Sequence, residues 1–279
     1  MTLEALRASI ERLGPDPAPD RVQSRAVVEA LLSALEAGEV RAAVPRNGGW
    51  EVQPWVKQGI LLAFRTGINV SVQAPPVFHF RDRDTLPTWD PSLSGRNVRL
   101  VPGGTTVRRG AHLGEGVVVM PPAYVNVGAF VGARTLVDSH ALVGSCAQVG
   151  SGVHLSAGAQ VGGVLEPVGS LPVVVEDDVF VGGSCGIYEG TRVCARAVLA
   201  AGVVLTRSVA LVDLVRERVL RAAAGEALTV PEGAVVVPGA RPAEGTFARA
   251  QGVLLQTPVI VKYRDAGTDA AAALEEALR

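Results

Sequence analysis

Aromatic residues make up only 4% of this 279-residue chain, too few for the ring-rich core of an ordinary globular domain. No stretch approaches the roughly 20 apolar residues needed to cross a bilayer. The formal net charge is −1, which leaves no basic or acidic excess to attract a polyanion or an anionic surface. Cysteine is scarce as well. Cys146, Cys185 and Cys194 are odd in number and lack metal-ligand spacing, so neither a disulfide framework nor a Cys-based metal site is expected, and a reduced, cytoplasmic compartment is. The N-terminal segment carries Glu4, Glu11, Asp16 and Asp20 and no apolar run, so no signal peptide is expected. The length predicts one large or two modest domains.

What the chain does have is glycine (32 residues) and a hydrophobic fraction of 48% made largely of Val, Leu and Ala. Counted in sixes from Val101, the positions Val107, Leu113, Val119, Val125, Val131, Val137, Val143, Val149, Leu155 and Val161 are all aliphatic. The register slips by two, and a second run follows at Val175, Val181, Ile187, Val193, Leu199, Leu205 and Leu211. The fourth residue after each is small or β-branched, as at Ala123, Ala129, Thr135, Ala141 and Ala147. Gly often follows the aliphatic directly, as at Gly114, Gly132, Gly144, Gly150, Gly162 and Gly182, where turn dihedrals are the expected reason.

A hexapeptide period of this kind predicts a parallel β-helix. Each hexapeptide supplies a short strand and a turn, and three hexapeptides make one triangular coil. Val119, Val137 and Leu155, each one coil further on, should stack in the interior. Ordinary parallel β-α-β units need long crossovers, for which 101–211 has no room. The predicted class is therefore mainly β: a left-handed parallel β-helix with an N-terminal α-helical domain and a short C-terminal strand and helix extension. The left-handed sense is taken from what hexapeptide proteins look like. The expected division is 1–95 for the helical cap, 96–241 for the β-helix with insertions near 163–173 and 212–229, and 242–279 for the extension.

Along the chain, helices are predicted at 3–13 and 21–37, the second capped by Asp20 and stopped at Gly38. A strand is predicted at Val40–Val44 and a turn at Asn47-Gly48-Gly49. A third helix is predicted from Trp50 to Phe64 with Pro54 in its first turn, Trp50 and Trp55 packing within the cap. A short strand is predicted at Val77–Phe80. The helical domain is expected to cover one end of the prism, where strand edges would otherwise be open. Hexapeptide order should resume at Val230 and Val236. A strand is expected at 253–263 and a helix at 268–279.

A β-helix alone names no reaction. The stretches MPPAYVNVGAFVGARTLVDSHALVGSCAQVG (120–150), VHLSAGAQVGGVLEPV (153–168), WVKQGILLAFR (55–65) and TPVIVKYRD (257–265) together resemble the tetrahydrodipicolinate N-succinyltransferases of lysine and diaminopimelate biosynthesis. The resemblance implies a cytoplasmic homotrimer that binds no permanent cofactor, uses succinyl-CoA as co-substrate and takes a cyclic imine dicarboxylate as acceptor. It implies substrate binding by Arg99 and Asp138. The acceptor's two carboxylates suit a bidentate Arg, and a carboxylate near its amine can act as base, so Asp138 is also a catalytic candidate. The ordinary readings of these two residues are a surface ion pair and a solvated turn.

The chain departs from the family pattern in three places. Gly186 stands where better-known members carry a Glu proposed as catalytic, which makes Glu189, three residues on, the second catalytic candidate. VALVDL (209–214) replaces a loop that often reads TRIYDR. His140 stands where many members have Trp and is a substrate-binding candidate, a neutral imidazole being a competent base near pH 7. Glu166 is either a loop brace or a lip of the substrate site. Main-chain and cationic contacts to the donor are expected at Gly183, Ala201, Arg207 and Lys262, although Lys262 can equally be a solubilising strand end. Other readings stay open: a same-fold acyltransferase with a different amino-acid acceptor or an acetyl-CoA donor, or a non-catalytic hexapeptide binding or assembly protein. A metal-dependent hexapeptide enzyme would need stacked histidines. The steps from His112 to His140 and from His140 to His154 are not whole numbers of coils, so these side chains cannot stack.

Overall fold

The computed structural model describes residues 1–16, 18–74, 78–90, 95–265 and 267. Its centre is a three-walled prism of two- and three-residue parallel strands. The first wall holds Arg99–Leu100, Val118–Val119, Leu136–Val137, His154–Leu155, Phe180–Val181, Val198–Leu199 and the start of Ala234–Pro242. The second holds Thr106–Val107, Tyr124–Val125, Leu142–Val143, Gln160–Val161, Gly186–Ile187 and Val204–Leu205. The third holds His112–Leu113, Phe130–Val131, Gln148–Val149, Val174–Val175, Thr191–Val193 and Leu228–Val230. Val119, Val137 and Leu155 stack in register and are fully buried. Burying each such side chain stabilises by about 2 kcal/mol. At about 4.8 Å per strand spacing, the prism is roughly 30 Å tall.

The glycines serve a different purpose from the expected one. At most corners the left-handed dihedral falls three residues after the aliphatic, at Gly128, Gly152, Gly158 and Gly202 but also at Arg134, His140, Cys146, Asp178, Ser184 and Arg196. The glycine directly after the aliphatic has an ordinary φ. It is small because a Cβ there would strike the backbone of the next coil: at Gly132, 2.5 Å from the carbonyl carbon of Gly150 and 2.6 Å from Ser151 N.

Two register expectations are corrected. Leu100, not Val101, pairs with Val119, because the Pro102-Gly103-Gly104 turn takes up one extra residue, with φ of 144° and 96° at its glycines. Leu211 does not continue the third wall. Leu211–Asp213 pairs with Arg218–Leu220 and with Leu254–Tyr263, so the 212–229 insertion begins as a hairpin. Coil order resumes at Val230 and Val236, which pair with Val193 and Leu199. Beyond Val236, Ala234–Pro242 runs straight on, and Leu254–Tyr263 returns antiparallel to it. The helix expected at 268–279 lies outside the described residues.

In the N-terminal layer, α1 (Leu3–Leu13), α2 (Arg21–Ala37) and α3 (Pro54–Thr66) bury Leu6, Ile10, Leu31, Leu32, Ile60 and Leu62. Asp20 caps α2 by accepting from Gln23 N at 2.7 Å, and Gly38 ends it at φ 77°. The strand expected at 40–44 is a hairpin, Ala43–Arg46 with Gly49–Val52. Asn47 and Gly48 both have positive φ, as a two-residue turn between twisted strands requires. That pairing draws Trp50 into a strand, and α3 starts at Pro54. The strand expected at Val77–Phe80 is Phe78–Arg83, paired with Asn69–Ala74; Val77 lies outside the described residues.

The helices lie along the side of the prism rather than over its end. Val127 and Cys146, on the edge between the second and third walls, share their hydrophobic cluster. Polar links add to this: Arg41 Nε donates to Gln148 at 2.9 Å, Trp50 Nε1 to Glu176 at 3.0 Å, and Arg109 to Glu36 at 2.8 Å. The lower end is closed by Trp89, which is buried in the prism cluster and donates its backbone N–H to Val107 O.

At the upper end, the buried Asp213 carboxylate accepts from Tyr263 Oη at 2.8 Å, Arg216 N at 3.1 Å, Val215 N at 3.2 Å and Arg218 Nε at 3.3 Å. Burial would raise this carboxyl, but those hydrogen bonds outweigh it and hold it below its ordinary value. A carboxyl held down in the fold contributes stability above its unfolded value of about 3.9. That contribution fades as pH falls through the lower folded value. Asp213→Asn is therefore expected to lose about 2 kcal/mol at pH 7 and to show a shallower loss of stability below about pH 4, read from urea midpoints across pH. An unchanged acid slope would contradict this account.

Candidate active site

The prism has three edges, and the candidate residues fall mainly on two. On the edge between the first and second walls, Asp138 follows the Leu136–Val137 strand. Its Oδ1 accepts from Ser139 N at 2.6 Å, which fixes the carboxylate and leaves Oδ2 without a partner among the described residues. His140, two residues on, is exposed at φ 63°. Its N–H donates to Pro122 O at 2.5 Å, and its carbonyl accepts from Gln160.

Gly183 and Ala201 lie above Asp138 on this same edge. The corner ladder joins Gly158 N to Ser139 O, Ser184 N to Ala157 O and Gly202 N to Gly183 O. The preceding amides, Ala157 N, Gly183 N and Ala201 N, make no hydrogen bond among the described residues. One unpaired donor per coil therefore climbs the edge at about 4.8 Å intervals. Arg99 is exposed on the first wall, two strand spacings below the strand that carries Asp138, or about 10 Å, and pairs with no carboxylate among the described residues.

The second edge, between the second and third walls, carries a cleft of about 500 Å³ lined by Glu166, Ser170, Glu189, Arg207 and Glu226. Both insertions build it. The 163–173 loop brings Glu166, and the 212–229 insertion covers it from above, where Arg207 Nη2 donates to Ala223 O at 3.4 Å. Glu166 and Glu189 are both exposed. Glu189 and Asp138 thus sit on different edges and two coils apart, and one chain does not bring them together. Lys262 is also apart from both groups, on the returning strand opposite Val235 and paired with Asp265 at 3.2 Å.

Two features of this region were not anticipated from the sequence. The Tyr188 ring folds back over Gly186: a Cβ at 186 would lie 2.5 Å from Tyr188 Cε2 and 3.0 Å from its hydroxyl. Gly186 is the seat of that ring, and a larger side chain there would displace it. In the cap, Lys57 is fully buried and donates to Ser170 O at 2.5 Å. Burial pulls its ammonium below the ordinary value, against a smaller opposing pull from Cys146. A Lys inside the apolar WVKQGILLAF run was the one sequence signal available. Lys57 ties α3 to the loop that presents Glu166.

The three histidines do not converge: His140 is on an edge, His112 on the third wall stacked on Phe130, and His154 on the first wall against Phe180. Burial raises the thiols of Cys146 to about 12 and Cys194 to about 11, so neither is a nucleophile near neutral pH. No helix among the described residues is long and apolar enough to cross a membrane.

Comparison with known proteins places these features in context. Residues 7–66 match the sequence model for the tetrahydrodipicolinate N-succinyltransferase N-terminal region, and residues 172–207 match the hexapeptide repeat of succinyl-transferase. The 2,3,4,5-tetrahydropyridine-2,6-dicarboxylate N-succinyltransferase of Aromatoleum aromaticum is 42% identical over 96% of this chain and 93% of its own length. That of Bordetella avium is 39% identical over the full length of both. Among solved structures, a Campylobacter jejuni protein described as a putative 2,3,4,5-tetrahydropyridine-2-carboxylate N-succinyltransferase aligns at TM-score 0.46 and 16% identity, over 88% of this chain and 64% of that one.

Proposed function

The chain belongs to the tetrahydrodipicolinate N-succinyltransferase family, and on that premise we propose that it transfers the succinyl group of succinyl-CoA to tetrahydrodipicolinate. This is a step of diaminopimelate and lysine biosynthesis, carried out in the cytoplasm. Water adds to the C=N bond of the cyclic imine and opens the ring to a ketone and a free amine, and this amine attacks the thioester carbonyl. A C–N bond forms, the C–S bond breaks, the amine proton passes to a carboxylate and the CoA thiolate is released to take up a proton. The product is N-succinyl-2-amino-6-ketopimelate.

The observation that carries this reading is the edge that bears Asp138. Its carboxylate is anchored through one oxygen and open at the other, beneath the row of unpaired N–H groups at Ala157, Gly183 and Ala201. Such a row suits the amide carbonyls of a pantetheine arm laid along the edge. Asp138 is then the base for the attacking amine, and Arg99 is within reach of an acceptor carboxylate. Glu189, Glu166 and Arg207 form the opposite side of the site. Because one chain holds these groups on separate edges, the site closes where two prisms meet in a homotrimer.

Mixing two weak variants tests the arrangement. Asp138→Asn and Glu189→Gln are each expected to lose most of their activity. Co-assembled one to one, every mixed trimer contains one site with both native carboxylates, so about one quarter of wild-type activity returns. If the two residues act within one chain, mixing restores nothing.

A further inference from the structure

The third edge of the prism, between the third and first walls, carries no residue of the proposed active site but holds a cleft of about 580 Å³. The cap hairpin forms one side and the third wall the other. Arg41 spans it. Its guanidinium lies 3.7 Å from the centre of the Phe130 ring and 5.3 Å from that of Trp50, and its Nε donates to Gln148. Its two terminal nitrogens make no hydrogen bond or ion pair among the described residues.

Of the neighbouring acids, Glu176 is committed elsewhere and Asp177 through one oxygen. Glu176 accepts from Arg192 at 2.7 Å, from Trp50 Nε1 and from Ala195 N. Asp177 Oδ1 accepts from Ser151 N at 2.8 Å. Burial pulls the Arg41 guanidinium down to about 10, and Asp177 only partly offsets this. A cation that has lost hydration without gaining a matched partner favours an incoming anion. The planar fork of an Arg selects two-oxygen heads.

We propose that this cleft binds a small organic anion whose carboxylate or phosphate head pairs with Arg41 and whose planar body lies against Trp50. The volume exceeds what a bare inorganic ion would fill, and Trp50 supplies apolar surface for the remainder of the ligand, the Phe130 ring being covered by Arg41 and His112. The site joins the cap to the prism and is separate from both edges assigned to the acyl-transfer reaction, so it stands or falls independently of that reaction.

Isothermal titration of the full-length protein with benzoate and with phenyl phosphate, at fixed ionic strength, tests this. Saturable binding of either one is expected, and which one binds identifies the head group. Arg41→Met weakens that binding at least about tenfold while succinyl-transfer turnover stays within about twofold. Should Arg41→Met fail to fold, Arg41→Lys keeps the charge without the fork and weakens binding by about threefold or more. Absence of saturable heat with both probes in the wild-type protein overturns the proposal. So does binding of equal strength in the folded Arg41 variant, or an equal response to sodium chloride.

Discussion

Gly132→Val is expected to lower stability by at least about 4 kcal/mol, most of what a typical domain has. An ideal Cβ at 132 lies 2.5 Å from the carbonyl carbon of Gly150, 2.6 Å from Ser151 N and 2.7 Å from Gly150 O. All three are backbone atoms, so no rotamer change relieves the contact. The coils are held about 4.8 Å apart by ladder hydrogen bonds, here including Gly132 N to Val149 O at 2.9 Å, so separating them breaks the wall. Gly169→Ala provides the comparison. Nothing lies within 4 Å of its Cβ position, and its stability should stay within about 0.5 kcal/mol of wild type. Thermal and urea unfolding read both. A Gly132→Val protein with near-native stability would mean that the coil spacing is not what requires glycine there.

Asp138→Asn is expected to lower kcat at least about tenfold and as much as a thousandfold, with unfolding unchanged. Asn retains an oxygen that can accept from Ser139 N, as Asp138 Oδ1 does at 2.6 Å, so the corner keeps its local geometry. The substitution removes the charge and the basicity of the unpaired oxygen. A loss confined to KM would instead assign Asp138 to binding the acceptor's amine, and an unchanged kcat/KM would remove it from the mechanism. His140→Ala distinguishes the neighbouring imidazole. The ring makes no hydrogen bond among the described residues, and only its backbone is engaged.

The prism was legible because its constraint repeats. Each interior position takes only an aliphatic, so Val119, Val137 and Leu155 declare one another. What repetition cannot convey is where the chain departs from it. A turn that absorbs one residue at Pro102-Gly103-Gly104 leaves Val101 with the right spacing and the wrong position. Leu211 keeps the hexapeptide count while its strand pairs with Leu254–Tyr263, a partner far beyond the next coil in sequence. Trp50 fits a helical pattern as well as a strand pattern, and the Asn47-Gly48 turn decides between them. For the glycines, the sequence marks a need for smallness without separating backbone dihedral from close approach.

The grouping of the candidate site residues was legible in part from the coil count, and their assembly was not. Asp138, Gly183 and Ala201 share one edge because their spacing follows the coil, with the insertion counted in. Glu166, Glu189 and Arg207 share another because both insertions fold over it. The Tyr188 ring over Gly186 and the buried Lys57 on Ser170 depend on side-chain direction and on cap docking, which no local pattern encodes.

The most direct measurement is CoA thiol release from succinyl-CoA in the presence of tetrahydrodipicolinate, run beside acetyl-CoA and a panel of other amino acids. The account predicts rapid release with succinyl-CoA and tetrahydrodipicolinate together, little with acetyl-CoA and none without the acceptor. Release only with a different amine, or a preference for acetyl-CoA, would contradict it.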